Sequence, residues 1–333
     1  MKTKEFKENL KIAVDLIRKS QHIVLACHMN PDGDAIGSML GLGLGLQKIK
    51  KNITFLCPDK IPSRYSSLPS ADRVRQAYDH AHPVDLAISL DCASLKQLPG
   101  VDKIFKRSAY IIEIDHHVYR DQFGDVQLVS ARTASVGEIV YELLAALDIK
   151  VDRKIAECLL TSAIVETSSF SRAEVNEKTF EICAKLLETG VDFNSISERY
   201  YWRKSLPAML LTGLSFTRIK TALNGKVVWS ILYREDFLRL KGRQEHVDPV
   251  ADDLLMTAGA QVSLFFREAE SNMLRVSLRS KGGIDVGFLA TTYGGGGHDS
   301  VASCRIHKTK QGVDRLIKQA GALLTKTSVV RHE

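Results

Sequence analysis

The chain has few of the features that would place it in or across a membrane. In its 333 residues no apolar stretch approaches the roughly 20 residues that a spanning helix needs. Its start, MKTKEFKENLKIAVDLIRKSQ, mixes charged and apolar residues at helical spacing. It lacks the apolar core and small-residue cleavage site of a secretory signal. That segment reads as an amphipathic helix, and a cytoplasmic location with no membrane association is the expectation. Paired cysteine motifs are also missing. The six cysteines, Cys27, Cys57, Cys92, Cys158, Cys183 and Cys304, include no C-x-x-C spacing, which argues against a zinc ribbon or a dithiol redox motif. Most lie in apolar runs, where a reduced thiol behaves as a small buried hydrophobe.

What is present is an ordinary globular composition, 44% hydrophobic and 26% charged. The length favours two domains. A net charge of +7 suits an anionic ligand such as a nucleotide without requiring one. The basic stretch Arg305–Arg331 reads as a solvated helix face.

Four short apolar, β-branched runs open the chain: 22–27 HIVLAC, 53–57 ITFLC, 84–90 VDLAISL and 110–114 YIIEI. Helical patterns or loops separate them, as expected for a parallel sheet covered on both faces. Gly37, Gly41 and Gly45 fall four apart in AIGSMLGLGLGLQKI, so they share one helix face and predict close packing there. SVGE at 135–138 has the form of a capping box at the start of a helix. Further helices are expected near 152–163 and 176–189, the latter ending at Gly190. The polar and aromatic segment 190–212 reads as the connection between domains. A new pattern then starts, with Asn224-Gly225 as a hairpin turn, strands at 261–266 and 273–279, and a closing helix near 311–325. The expected plan is a doubly wound α/β domain over 1–190, a linker over 191–213 and a smaller α+β domain over 214–333, with the active site in the cleft between the domains.

Acids and histidines gather where those strands end. His28, Asp32 and Asp34 follow the first, Asp91 the third, and Asp115, His116 and His117 the fourth; Glu166 ends a later helix. Each fragment alone has an ordinary explanation: PDGD is a common turn composition, and a single Asp at a strand end often caps a helix. Their shared position is the stronger signal, because open parallel sheets bind ligands beyond the carboxyl ends of their strands. Several carboxylates brought together repel one another, and uncompensated burial costs several kcal/mol for each. Bound cations relieve this. Carboxylate and imidazole donors suit Mn²⁺ and related metals, and the number of ligands fits two ions about 3.5–4 Å apart sharing a bridging carboxylate.

The combination of DHH at 115–117 with HMNPDGDAIGS and ISLDCAS upstream closely resembles the DHH phosphoesterase superfamily. RVSLRS at 275–280 and YGGGGH at 293–298 resemble its DHH-associated C-terminal domain. The resemblance covers nearly the whole chain, and its length and plan are similar to the nanoRNase/pAp-phosphatase branch. It implies that His28, Asp32 and Asp91 hold one metal, and that Asp34, Asp91, His116 and Glu166 hold a second. His117 would sit at the scissile phosphate, and Asp115 would orient its neighbouring imidazole or loop. Arg279, His298 and the backbone amides of Gly295, Gly296 and Gly297 would grip the nucleotide. Glu166 departs from the family pattern, which has Asp in its D-T-x-x-F motif where this chain has ETSSF.

The implied reaction is hydrolysis of a phosphodiester or phosphomonoester by two divalent ions, Mn²⁺ first, with Mg²⁺ or Co²⁺ as alternatives. The implied substrates are short oligoribonucleotides, linear dinucleotides such as pApA or pGpG, and pAp. A homodimer is suggested by the resemblance alone. Two rival readings remain: a RecJ-like single-strand exonuclease, and a nucleotide sensor that binds without turnover.

Overall fold

Apolar side chains at Phe6, Ala13, Val14 and Ile17 give the first helix a single buried face, and Thr3 caps it by accepting from the Phe6 amide. The computed structural model describes residues 3–78, 83–117, 120–171, 174–270, 272–281, 283–297 and 299–327. By contact density the chain divides into two units, Met1–Arg203 and Lys204–Glu333.

The first unit runs α1 (Lys4–Lys19), β1 (His22–Cys27), α2 (Gly33–Lys48), β2 (Asn52–Leu56), β3 (Leu86–Leu90), α3 (Asp102–Phe105), β4 (Tyr110–Asp115), β5 (Val126–Val129), α4 (Val136–Ala146), α5 (Arg153–Glu166), α6 (Glu177–Leu187) and α7 (Phe193–Ser197). Its five strands are parallel, in the order β2-β1-β3-β4-β5. Alternate residues of β1 serve two cores. Ile23, Leu25 and Cys27 face the core with α1, α2, α4, α5 and α6; Val24 and Ala26 face the smaller core with α3. The strand order reverses between β1 and β3, and that reversal opens a crevice beyond their carboxyl ends.

The three glycines of α2 act as their spacing predicts. A methyl group on Gly37 would run into the Cys158 carbonyl of α5, one on Gly41 would lie 2.7 Å from the Leu159 side chain, and one on Gly45 would strike Leu144 of α4. All six cysteines are free and buried.

One sequence expectation fails in its mechanism. Helix α4 begins at Val136 as SVGE predicts, but the Ser135 side chain makes no capping bond. Among the described residues its buried hydroxyl has no hydrogen-bond partner, and the Glu138 carboxylate accepts instead from the Ala134 amide and the Thr179 hydroxyl. The first free amides of α4 are taken by a residue far upstream, described below.

The second unit runs α8 (Leu206–Thr217), β6 (Lys220–Ala222), β7 (Val227–Leu232), α9 (Arg234–Arg239), α10 (Val250–Leu255), β8 (Val262–Glu270), β9 (Met273–Ser280), α11 (Val286–Thr291), β10 (Gly296–Gly297), β11 (Val301–His307) and α12 (Lys310–Thr327). Its mixed sheet has the order β10-β11-β9-β8-β7-β6, with β7 and β8 parallel and the other neighbours antiparallel. Leu223, Asn224 and Gly225 all have positive φ in the turn joining β6 to β7, as the Asn-Gly pair foretold. Helices α11 and α12 cover one face of the sheet, and α8, α9 and α10 the other. Among the described residues, no helix is long and apolar enough to cross a membrane.

Candidate metal and phosphoester site

The ligand-type side chains are fixed by several different elements. His28 follows β1, and its Nδ1–H donates to the Met29 carbonyl at 2.8 Å, which leaves Nε2 as the donor atom toward Asp91, 3.4 Å away. Asp32 caps α2: its Oδ1 accepts from the Asp34 and Ala35 amides at 2.9 and 3.0 Å. Asp34 lies in the first turn of that helix and is fully buried. The start of α4 points at it. The Val136 amide donates to Asp34 Oδ2 at 2.9 Å, the Gly137 amide to Oδ1 at 3.3 Å, and the Ser162 hydroxyl to Oδ1 at 2.6 Å. The carboxylate therefore does what the capping box was expected to do, since helix N-terminal amides and an anion satisfy each other.

Asp91 follows β3 with a left-handed backbone, φ +59°, an arrangement unfavourable for a residue with a side chain. Its amide is held by the Ile114 carbonyl at 2.9 Å, so the strain is fixed by sheet pairing. Its Oδ1 is buried and has no hydrogen-bond partner among the described residues. Around that oxygen stand His116 Nε2 at 3.7 Å and His117 Nδ1 at 3.6 Å. Asp115, the last residue of β4, accepts from the His117 ring at 2.7 Å and from the His116 amide at 2.8 Å. The His116 ring donates to the Thr133 carbonyl, so its Nε2 faces Asp34 Oδ2 and Glu166 Oε1, each 3.8 Å away. Glu166 is the last residue of α5, and Ser168, Ser169 and Phe170 after it form a run of positive φ.

The electrostatics follow from burial opposed by neighbours. Burial drives Asp34 well above the usual carboxylate range, and the Asp91 charge adds to this against His116. Burial also pushes Asp91 upward, but the bond from His28 and the charges of all three imidazoles hold it well below that range. Burial lowers the histidines, yet the carboxylates win: His28 is pushed up to about 10, mainly by Asp91, and His116 to about 9 by Asp34, Asp91 and Glu166.

Among the described residues, three sets of donor atoms are found, the atoms of each set within 4.8 Å of one another: His28 with Asp32 and Asp91, Asp34 with His116 and Glu166, and Asp91 with His116 and His117. Shared Asp91 and His116 join them into one cluster. An orphaned carboxylate oxygen at its centre, hard oxygen donors and oriented imidazoles fit a pair of divalent cations.

The structure thus brings together His28, Asp32, Asp34, Asp91, Asp115, His116, His117 and Glu166. The C-terminal residues form a separate group. Arg279 on β9 donates to Asp252 at 2.9 Å and to its own neighbour's carbonyl, so its guanidinium is already engaged. Gly295 and Gly297 press against the β11 backbone, where a methyl group would collide with it, whereas Gly296 faces open space. His298 lies outside the described residues. Sequence reasoning missed Ser162, the α4 amides and the pair Arg120–Glu113. Arg120 donates to buried Glu113 at 2.7 Å and to Gln127 at 2.8 Å, tying the segment after His117 back to β4 and β5. Burial raises Glu113 above the ordinary carboxylate value, with Arg120 opposing it. The opposite charges of Glu113 and Arg120, seven apart in sequence, were the available signal.

Comparison with known proteins agrees with this arrangement. Residues 22–163 match the DHH family N-terminal domain, and residues 224–326 the DHHA1 domain. The bifunctional oligoribonuclease and PAP phosphatase NrnA of Bacillus subtilis is 30% identical over 302 residues, 89% of this chain and 92% of that protein. Its namesake in Thermus thermophilus is 27% identical over 309 residues, 92% and 90% of the two chains. In fold, an exopolyphosphatase-related protein from Bacteroides fragilis superposes with a TM-score of 0.88 at 24% identity, over 98% of each chain. Its strand order, its motifs at the sheet's carboxyl edge and these relatives place the chain in the DHH family, among the members that carry a DHHA1 domain.

Proposed function

We propose that the protein is a metal-dependent phosphoesterase that cleaves short oligoribonucleotides or linear dinucleotides to 5′-nucleotides and removes a phosphate from pAp. The observation that carries this reading is the buried, unpartnered Oδ1 of Asp91 at the meeting point of three donor sets. Its relatives' names supply the substrate class.

His28, Asp32 and Asp91 would hold one ion; Asp34, Asp91, His116 and Glu166 would hold the other, with manganese as the first candidate. Bound there, divalent ions supply Lewis acidity toward phosphoryl oxygens and a water of lowered pKa. The protein's own contribution is position and charge. The carbonyls of Met29 and Thr133 fix the tautomers of His28 and His116 with Nε2 toward the carboxylates. The α4 amides and Ser162 hold Asp34 in one rotamer. Asp115 keeps the proton of His117 on Nδ1, so that ring can contact a phosphate through its other nitrogen. In the C-terminal domain, Arg279, Gly296 and His298 are proposed contacts for the nucleotide, with Gly295 and Gly297 letting the chain pass close to β11.

The test is a substrate panel of pAp, pApA, pGpG, a five-residue RNA and a 20-residue DNA, each with Mn²⁺, Mg²⁺ and Co²⁺. The reading expects release of AMP from pApA and of inorganic phosphate from pAp, with turnover lost in folded Asp32→Ala and Asp91→Ala. Turnover retained in those variants refutes it. Faster cleavage of the 20-residue DNA than of the dinucleotides favours an exonuclease instead.

A further inference from the structure

Residues 198–203, Glu-Arg-Tyr-Tyr-Trp-Arg, have no part in the metal site, and by composition they look like a connection. In the structure Glu198–Trp202 is a π-helical turn. Such turns are rare and frequent at functional sites. Tyr200 and Tyr201 pack against the N-terminal core, while Trp202 is left 79% exposed. Indoles are usually largely buried, so one presented to solvent on an anchored turn is out of the ordinary.

One contact ties this turn to the metal site, and a second anchors it to the N-terminal unit. The Tyr201 hydroxyl lies 3.0 Å from the Ile164 carbonyl and 3.3 Å from that of Val165, the two residues before Glu166. The Tyr200 ring packs on Tyr65 with centroids 5.4 Å apart. Both charge signs occur at the turn, which itself contains Glu198. The Arg64 guanidinium lies 4.8 Å over the Tyr65 ring, and Arg199 is held by Glu157 at 3.2 Å. Arg203 is exposed and makes no ion pair among the described residues.

We propose that Trp202 is a stacking platform for a nucleobase of the oligonucleotide substrate, with Arg203 beside it for the adjoining phosphate. This rests on the phosphoesterase reading and deepens it. An aromatic face accepts any base, and a neighbouring cation follows the backbone, which is the chemistry of sequence-tolerant single-strand binding. An enzyme that degrades short oligomers of every sequence needs that tolerance. The exposed Arg203 next to the indole in sequence favours an anionic nucleic acid over an apolar protein surface.

The experiment measures kcat and KM for a five-residue oligoadenylate in manganese for the unaltered protein, Trp202→Ala and Trp202→Phe. It also follows tryptophan fluorescence in Trp229→Phe, which leaves Trp202 as the sole reporter of the two tryptophans. The inference expects KM to rise about tenfold in Trp202→Ala with little change in kcat, as loss of one stacked base implies. Trp202→Phe should recover most of that loss, and the oligomer should quench the Trp202 emission. An unchanged KM in Trp202→Ala, or no quenching while the oligomer is being turned over, overturns the stacking role and leaves the phosphoesterase reading intact. Failure of the unaltered protein to bind or cleave the oligomer overturns both. A lower thermal midpoint in Trp202→Ala with unaltered KM would mean that the indole only packs within the protein, which also overturns the proposal.

Discussion

A single hydroxyl, that of Ser162, accepts from the Gly137 amide at 3.0 Å and donates to Asp34 at 2.6 Å. Removing it leaves two buried groups with one partner fewer. Ser162→Ala should therefore lower stability by about 2 kcal/mol, read from urea unfolding. A loss near zero would mean that Val136 and Gly137 hold Asp34 unaided. Arg120 poses a harsher case. Arg120→Ala would leave Glu113 buried without its counter-charge, at a cost of about 3 kcal/mol in the same measurement. These residues were hard to see in the sequence for a definite reason. Ser162 sits in LLTSAIVE, an unremarkable helix interior, and reaches a partner 128 positions away. His28, Asp32 and Asp91 were legible because their residue types, set just after apolar strands, have few other uses together.

At the scale of elements, the glycines of α2 and α8 make opposite predictions. Gly37 touches the α5 backbone, so Gly37→Ala overpacks the α2–α5 contact and should destabilise by about 2 kcal/mol. Gly213 in α8 has nothing within 4 Å, so Gly213→Ala should stabilise by about 0.5–1 kcal/mol through helix propensity alone. Thermal or urea unfolding of the two variants reads both signs. The same scale shows what the sequence could reveal. Strands β1 and β3 are largely apolar runs because helices cover both of their faces. Strand β5 lies at the sheet edge, is four residues long and alternates buried with half-buried positions, so no such run marks it. The capping box misled because Ser135 and Glu138 match the pattern, while a buried carboxylate from another helix competes for the same amides.

At the scale of the molecule, each unit has its own cores and its own charge. In the second unit, buried Asp236 accepts from Arg218 at 2.5 and 2.9 Å and from the Tyr233 amide at 2.8 Å. Burial opposes ionisation, but these donors lower its pKa below the ordinary 3.8. A depressed carboxylate stabilises the fold fully above its unfolded value. That stabilisation is lost as pH falls from the unfolded value through the folded one. Acid unfolding below about pH 4 should therefore be less steep in Asp236→Asn, which keeps the shape without the charge. In the first unit the ligands come from four separated segments, so the donor cluster exists only when the sheet is formed, and manganese should raise the thermal midpoint of the metal-stripped protein. The most direct test of that centre is anomalous diffraction from manganese-soaked crystals. Two peaks should flank Asp91, one beside His28 and Asp32, the other beside Asp34, His116 and Glu166; a map with a single peak, or none, at that carboxylate contradicts the account.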